Sequence, residues 1–310
     1  MTLTGYNLIT MSKKLEKLKN VITALITPFK EDFSLDEEKY REFIRFQVDN
    51  GANILTMGTT GEAATLSHDE HIKAVKIAVD EARKTGKDPF VLAGTGSNST
   101  NEAISLTART EKAGADGALI VVPYYNKPVQ HSLIEHYNTI AEQVKIPIIV
   151  YNVPGRTVRN INPETVATIA KKNDNIVGIK CASGNIDQIT KIFKLCPDDF
   201  IVLSGDDPLT FHIMSLGGKG VISVASNIIP FKMVEFCETM EKDLWNNARK
   251  LQLLYYNLFK VLFVETNPGP VKFAAELLGL MNKRMRLPLT PPLKENEEKI
   301  KKVLENLKLL

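Results

Sequence analysis

The groups in this chain that could do chemistry are one lysine, several tyrosines, a pair of threonines and an arginine, each just after a short apolar run. Lys180 closes the run Ile176–Lys180, with Cys181, Ala182 and Ser183 following. Bounded apolar runs of this length read as buried strands. Burial disfavours an ammonium and lowers its pKa, and a desolvated amine is a nucleophile that forms a Schiff base with carbonyl carbon. A strand-end lysine can equally do no more than reach solvent, so the neighbouring motifs have to decide. Tyr151 ends another run, where a phenol can shuttle protons. Arg156 follows it in Val153-Pro154-Gly155-Arg156-Thr157, and a guanidinium suits two-point recognition of a carboxylate.

Gly58-Thr59-Thr60-Gly61-Glu62 offers two hydroxyls and several backbone N–H groups on a glycine-hinged turn, enough to hold a small carboxylate. A plain glycine turn is the competing reading, and Gly94-Thr95-Gly96-Ser97-Asn98 is a weaker version of the same signal. Tyr124 and Tyr125 sit on a loop stiffened by Pro123 and Pro128, where phenols serve as interface anchors as readily as catalysts. Asp207 reads as a helix cap before Pro208. Gly217-Gly218-Lys219-Gly220 resembles a phosphate loop but precedes its strand, away from the other groups.

An amine, phenols, paired threonines and an arginine are the equipment for Schiff-base chemistry on a small keto acid. Metal-ligand spacing, a Ser/His/Asp pattern and a Walker loop are all missing, so the expectation is catalysis without metal or bound cofactor. The 310 residues are 44% hydrophobic and 24% charged, as in an ordinary globular protein. A net charge of +3, from 39 basic and 36 acidic side chains, argues against nucleic acid and membrane surfaces as partners. No apolar run is long enough to span a bilayer. Cys181, Cys196 and Cys237 are scattered, with neither disulfide nor metal spacing, which points to a reducing, cytoplasmic compartment. Residues 1–19 lack the order of a signal peptide and read as an extension, solvated over Met1–Thr10, with Met11 an alternative start.

The elements that must position these groups follow a repeating pattern. Apolar, β-branched runs occur at Val21–Thr27, Ala52–Met57, Phe90–Gly94, Ala118–Val122, Ile146–Tyr151, Ile176–Lys180, Phe200–Leu203 and Gly220–Val224. None alternates cleanly, as expected of parallel strands covered on both faces. Helix starts lie between them: Ser67…Glu70 and Ser99…Glu102 fit the capping box, and Asn162-Pro163 places a cap before a first-turn proline. Eight such β-then-α units predict a (β/α)8 TIM barrel over 20–230, with its chemistry at the C-terminal ends of the strands. An open doubly wound sheet is the competitor, but no G-x-G-x-x-G follows the first strand. Residues 231–310 have helical spacing throughout and predict a C-terminal helical domain, ending in an amphipathic helix with Ile300, Val303, Leu304 and Leu307 on one face.

The motifs GTTGE (58–62), YYNKP (124–128), YNVPGRT (151–157) and GIKCASG (178–184), with SGDD (204–207), GVIS (220–223) and NPGPVK (267–272), together resemble the dihydrodipicolinate synthase family. The resemblance runs over about residues 20 to 290. It implies a barrel with a C-terminal helical domain, assembled as a homotetramer built from two tight dimers. It also implies condensation of pyruvate with aspartate semialdehyde in lysine biosynthesis. By motif, Lys180 would form the imine with pyruvate, and Tyr151 would exchange protons through Thr59 with Tyr125 of a neighbouring subunit. Thr60 and the backbone at Ile222 would hold the pyruvate carboxylate, and Arg156 would guide carboxylates at the entrance. A lysine feedback site of the family has its residue types here at His68, His71, Asn98, Glu102 and Tyr124, while Ala63 stands where some lysine-sensitive relatives carry serine. Lyases of the same superfamily acting on N-acetylneuraminate or 2-keto-3-deoxy sugar acids share the lysine and the tyrosine. They are the alternative, and Thr59, Tyr125 and Arg156 favour the synthase. A barrel that merely binds keto acids is the non-enzymatic one, against which the intact set of rim residues argues.

Overall fold

The computed structural model describes residues 14–310; the tail expected over Met1–Thr10, with Met11, lies outside them. Each of the eight apolar runs supplies one strand: β1 Asn20–Ala24, β2 Asn53–Thr56, β3 Val91–Gly94, β4 Gly117–Val121, β5 Ile148–Asn152, β6 Ile176–Cys181, β7 Ile201–Ser204 and β8 Gly220–Ser223. They form a closed parallel barrel in chain order, with Asn20 of β1 beside Gly220 of β8. One main helix follows each strand, with an additional four-residue helical turn, Pro154–Thr157, directly after β5: α1 Glu37–Asp49, α2 His68–Lys84, α3 Thr100–Lys112, α4 Gln130–Gln143, α5 Pro163–Lys172, α6 Ile186–Leu195, α7 Thr210–Ser215 and α8 Pro230–Glu241. Beyond these lie α9 Trp245–Val261, α10 Gly269–Leu277 and α11 Lys294–Asn306.

The strands do alternate, but between two apolar environments. Ile22, Leu55, Leu92, Leu119, Ile149, Leu203 and Ile222 pack together inside the barrel, while Val21, Ile54, Val91, Ile120, Val150, Val202 and Val221 pack in the cluster that includes the helices. Period-two spacing puts Tyr151 on the interior side with Ile149, and on β6 it puts Lys180 opposite in sense to Ile179, which packs outward. The lysine therefore occupies a core position of its strand.

Ser67 caps α2 with both halves of the capping box. At α3 only half forms: Ser99 Oγ accepts from the Glu102 N–H, but the Glu102 carboxylate turns instead to the Ser97 hydroxyl and to His68 Nε2, the latter at 2.8 Å. Asn162 makes no side-chain cap, and Pro163 starts α5 without one. Helix α8 packs on β1, so the barrel's helical layer runs past residue 230, where the sequence suggests a boundary; helical spacing does not distinguish α8 from the helices that follow. The described part of the N-terminal extension is tied to the barrel's N-terminal end: Lys14 pairs with Asp116 at 3.0 Å, and Leu18 is buried in the interior cluster.

The C-terminal region is joined to the catalytic end by a buried ion pair. Lys272 of α10 donates to Glu62 Oε1 at 2.7 Å, to the Thr27 carbonyl at 2.9 Å and to the Arg284 carbonyl, and both charged side chains are 0% exposed. Glu62 Oε2 accepts from the Arg286 N–H at 3.2 Å, and the Phe29 ring lies beneath Lys272. Removing one partner strands the other charge in the core. Lys272→Met should therefore cost about 3–5 kcal/mol in urea unfolding, and adding Glu62→Gln should recover part of the loss. An unchanged midpoint in Lys272→Met would refute the role.

Candidate active site

Strands β5 and β6 place Tyr151 and Lys180 directly opposite each other. Same-level neighbours in a parallel sheet project to the same face, and the Lys180 Nζ stands 4.2 Å from the centre of the Tyr151 ring. Each residue is only 7% exposed. Burial brings the Lys180 ammonium down to about 7; the nearby Asp207 charge opposes the shift and Arg156 adds to it. Burial also raises the Tyr151 phenol to about 12, against the pull of Arg156 and a hydrogen bond with Thr59. A substantial fraction of the amine is thus uncharged at neutral pH, beside a phenol that keeps its proton. Gly205 makes room for the lysine, since a Cβ there would come 3.1 Å from Lys180 Cε and 2.9 Å from Ala182 Cβ.

These groups line a cavity of about 740 Å³ at the C-terminal mouth, together with Thr59, Thr60 and Arg156. The turn that carries the threonines is held in unusual backbone: Met57 and Glu62 have φ of 54° and 58°, a conformation non-glycine residues adopt only when the surroundings enforce it. Asn267, just before α10, ties the rim together. Its Nδ2 donates to Thr60 Oγ1 at 3.0 Å, and its carbonyl accepts from Arg156 Nη2 at 3.2 Å. Sequence reasoning marks Asn267 only as part of a resemblance motif; a polar residue before prolines gives no hint that it returns to the barrel mouth.

Asp207 departs from expectation. It is fully buried rather than capping, and its Oδ2 accepts from the N–H groups of Val224 and Ala225, each at 3.0 Å. Burial raises it to about 6. The carboxylate thus serves two N–H groups of the chain leaving β8 in place of the short turn at Pro208. The Gly217–Gly220 segment runs into the start of β8, and the Lys219 carbonyl accepts from the Asn20 N–H there, so it lies at the end opposite the cavity.

Three expected site residues do not line the cavity. Tyr125, at φ 72°, projects from its loop and is 89% exposed. Ile222 sits in the barrel interior with Leu203. Asn98 is engaged through its carbonyl by Asn126 Nδ2 at 2.8 Å. The other residues expected at a feedback site, His68, His71, Glu102 and Tyr124, line the same cavity, as does Ala63. His71 Nε2–H donates to the Gly94 carbonyl at 2.9 Å, and burial lowers its pKa to about 4, so it is neutral.

A closed parallel barrel that brings a desolvated lysine and a phenol to its C-terminal mouth defines a lyase of the class I, Schiff-base type. The model of the dihydrodipicolinate synthetase family matches residues 17–307, and the chain belongs to this family. It is 49% identical over 293 residues to a protein of Syntrophus aciditrophicus named 4-hydroxy-tetrahydrodipicolinate synthase, covering 94% of this chain and 99% of the relative. A protein of the same name from Aquifex aeolicus is 48% identical, covering 93% and 97%. The crystal structure of dihydrodipicolinate synthase from Aquifex aeolicus superposes with a TM-score of 0.91 at 48% identity, covering 94% of this chain and 98% of that one. The Cyanidioschyzon merolae enzyme, solved with lysine bound, gives 0.91 at 39% identity, covering 95% and 99%.

Proposed function

We propose that this chain condenses pyruvate with L-aspartate 4-semialdehyde to give 4-hydroxy-tetrahydrodipicolinate, a step of lysine biosynthesis, through an imine on Lys180. The observation that carries the mechanism is the uncharged-amine environment of Lys180 against the Tyr151 phenol. The amine attacks the keto carbon of pyruvate and water leaves. The resulting imine draws electrons from the methyl group, which loses a proton to become an enamine, and that carbon attacks the aldehyde. The substrate's own amine then attacks the former keto carbon, closing the ring and releasing Lys180. In this scheme Tyr151 carries protons on and off, relayed by the Thr59 hydroxyl. Thr60, oriented by Asn267, and the backbone at Ile222 hold the pyruvate carboxylate, and Arg156 receives carboxylates at the mouth. The imine itself is the electron sink, so the reaction as proposed calls on no metal or cofactor.

Tyr125 enters the scheme from a partner. Its exposure on a rigid loop suits insertion into a neighbouring subunit of a tight dimer, and a homotetramer of two such dimers is the assembly proposed. Three buried, unpaired cysteines suit a reducing cytoplasm; among the described residues no helix is long and apolar enough to cross a membrane. The clustered His68, His71, Glu102 and Tyr124, with Asn98 nearby, support lysine as a feedback ligand, with Ala63 supplying no hydroxyl. Pyruvate consumption should be fast with aspartate semialdehyde, pyruvate release from N-acetylneuraminate or 2-keto-3-deoxy sugar acids should be negligible, and millimolar lysine should slow the condensation. Preferential turnover of a sugar acid would overturn the proposed substrate, and indifference to lysine would remove the feedback role alone.

A further inference from the structure

The loop that carries Tyr125 is bent against the preference of its own residues. Tyr125 and Lys127 both have left-handed backbone, at φ 72° and 50°, a region that non-glycine residues hold only where neighbouring contacts enforce it. Two contacts from other segments bracket the bend. On one side Asn126 Nδ2 donates to the Asn98 carbonyl at 2.8 Å. On the other, Arg159 Nη2 donates to the Lys127 carbonyl at 2.9 Å. Among the described residues that carbonyl is the one acceptor the Arg159 guanidinium reaches, and its Nε is buried without a partner. An arginine so incompletely satisfied gains little for its own segment; what it contributes is the hold on the loop. Arg159 is itself well anchored. The hydroxyl of the buried Thr157 donates to the Arg159 carbonyl at 2.8 Å and accepts from the Arg159 N–H at 3.3 Å. The next residue, Asn160, accepts from Asn152 Nδ2 at 2.8 Å through its side chain and from Gln130 Nε2 at 2.9 Å through its carbonyl. Asn152 follows Tyr151 on β5 and Gln130 opens α4, so the clamp is fixed both to the barrel and to the far end of the loop it holds.

We propose that Arg159 is a positioning residue for the neighbouring subunit: by holding the Lys127 carbonyl it keeps Tyr125 presented for insertion into the partner's cavity. This rests on the reading of Tyr125 as a residue that enters a partner. With the carbonyl released, the strained backbone at Tyr125 and Lys127 relaxes, and the phenol is delivered in only a fraction of molecules. Turnover then falls by that fraction. Pyruvate, held by residues of the chain that carries Lys180, is bound as before.

The test uses Arg159→Met and Arg159→Lys. Arg159→Met should lower kcat by about tenfold or more, the population shift that one lost charged hydrogen bond allows. The KM for pyruvate, borohydride trapping on Lys180 and the oligomeric state in sedimentation should stay at their parent values. Arg159→Lys, which can still donate to the carbonyl, should keep most of the turnover. Co-expressing Arg159→Met with an excess of Lys180→Ala then assigns the effect to a subunit. Each intact Lys180 now faces a partner with its own Arg159, so turnover per intact Lys180 should return to the parent value. Mixing that restores nothing would place the role of Arg159 within its own subunit and overturn the proposal, as would a parent-like kcat in Arg159→Met or loss of the oligomer. Tyr125→Phe mixed in the same way checks the underlying reading: it should be impaired alone and restored by mixing. A Tyr125→Phe that is unimpaired, or impaired and not restored, would refute the entry of Tyr125 into a partner and take this proposal with it, an outcome distinct from the others.

Discussion

Lys180→Ala should abolish the adduct that borohydride traps with pyruvate and reduce turnover by at least about 10⁴-fold, the scale seen when the nucleophile of a cooperating set is removed. The mass increment in the parent protein should map to the peptide containing Lys180; an adduct that persists in the variant, or none in the parent, would sink the mechanism. The expectation follows from where the strand puts the side chain. An inward position on β6 removes the amine from water, and burial then favours the neutral form with a pKa of about 7. Imine formation needs that neutral form. The rate of adduct formation should therefore climb as pH rises towards about 7 and level off above it. The same burial has a cost in stability with a definite sign. The folded-state pKa lies below the ordinary 10.5, so the unfolded chain binds more protons between about 7 and 10.5. Stability from this group rises with pH across that window and is lowest below it.

Tyr151→Phe is the second large effect. The variant keeps the ring beside Lys180 and removes only the hydroxyl, so pyruvate should still bind and still be trapped. Turnover should fall by about 10²–10⁴-fold, the usual contribution of a positioned proton donor or acceptor. Steady-state assay with aspartate semialdehyde checks this, and near-normal turnover would take Tyr151 out of the mechanism. With a pKa raised to about 12 the phenol holds its proton through the neutral range. A rate loss in the Phe variant that is constant across neutral pH would accordingly point to a phenol acting from its protonated form. Unlike the lysine, whose charge state sets the acid limb of the profile, the tyrosine should leave the shape of that limb alone.

Much of this site is legible in the order of residues. Eight β-branched runs separated by helix starts specify a (β/α)8 barrel, because short connections and parallel strands leave few other closed arrangements. The run Ile176–Lys180 places a lysine where burial would make it reactive, and the strands that end at Asn152, just after Tyr151, and at Thr56 put the phenol and the threonine turn at the same mouth. Local rules reach this far because period-two alternation and strand polarity are properties of a segment and its immediate flanks.

What needs the folded chain are the contacts between distant segments. Glu102 completes a capping box on paper, yet in three dimensions its carboxylate goes to His68 and Ser97, which no local rule brings within reach. Asp207 looks like a cap for the next turn and instead serves the backbone leaving β8. Asn267 and Lys272 lie more than 200 residues from the threonine turn they hold, and the pull that places them is the burial of unpaired polar groups, satisfied only once the barrel has closed. Lys180 could be singled out from sequence because its strand alone buries it; its partners and its pKa depend on which other chain segments meet at the mouth, and only the tertiary fold settles that.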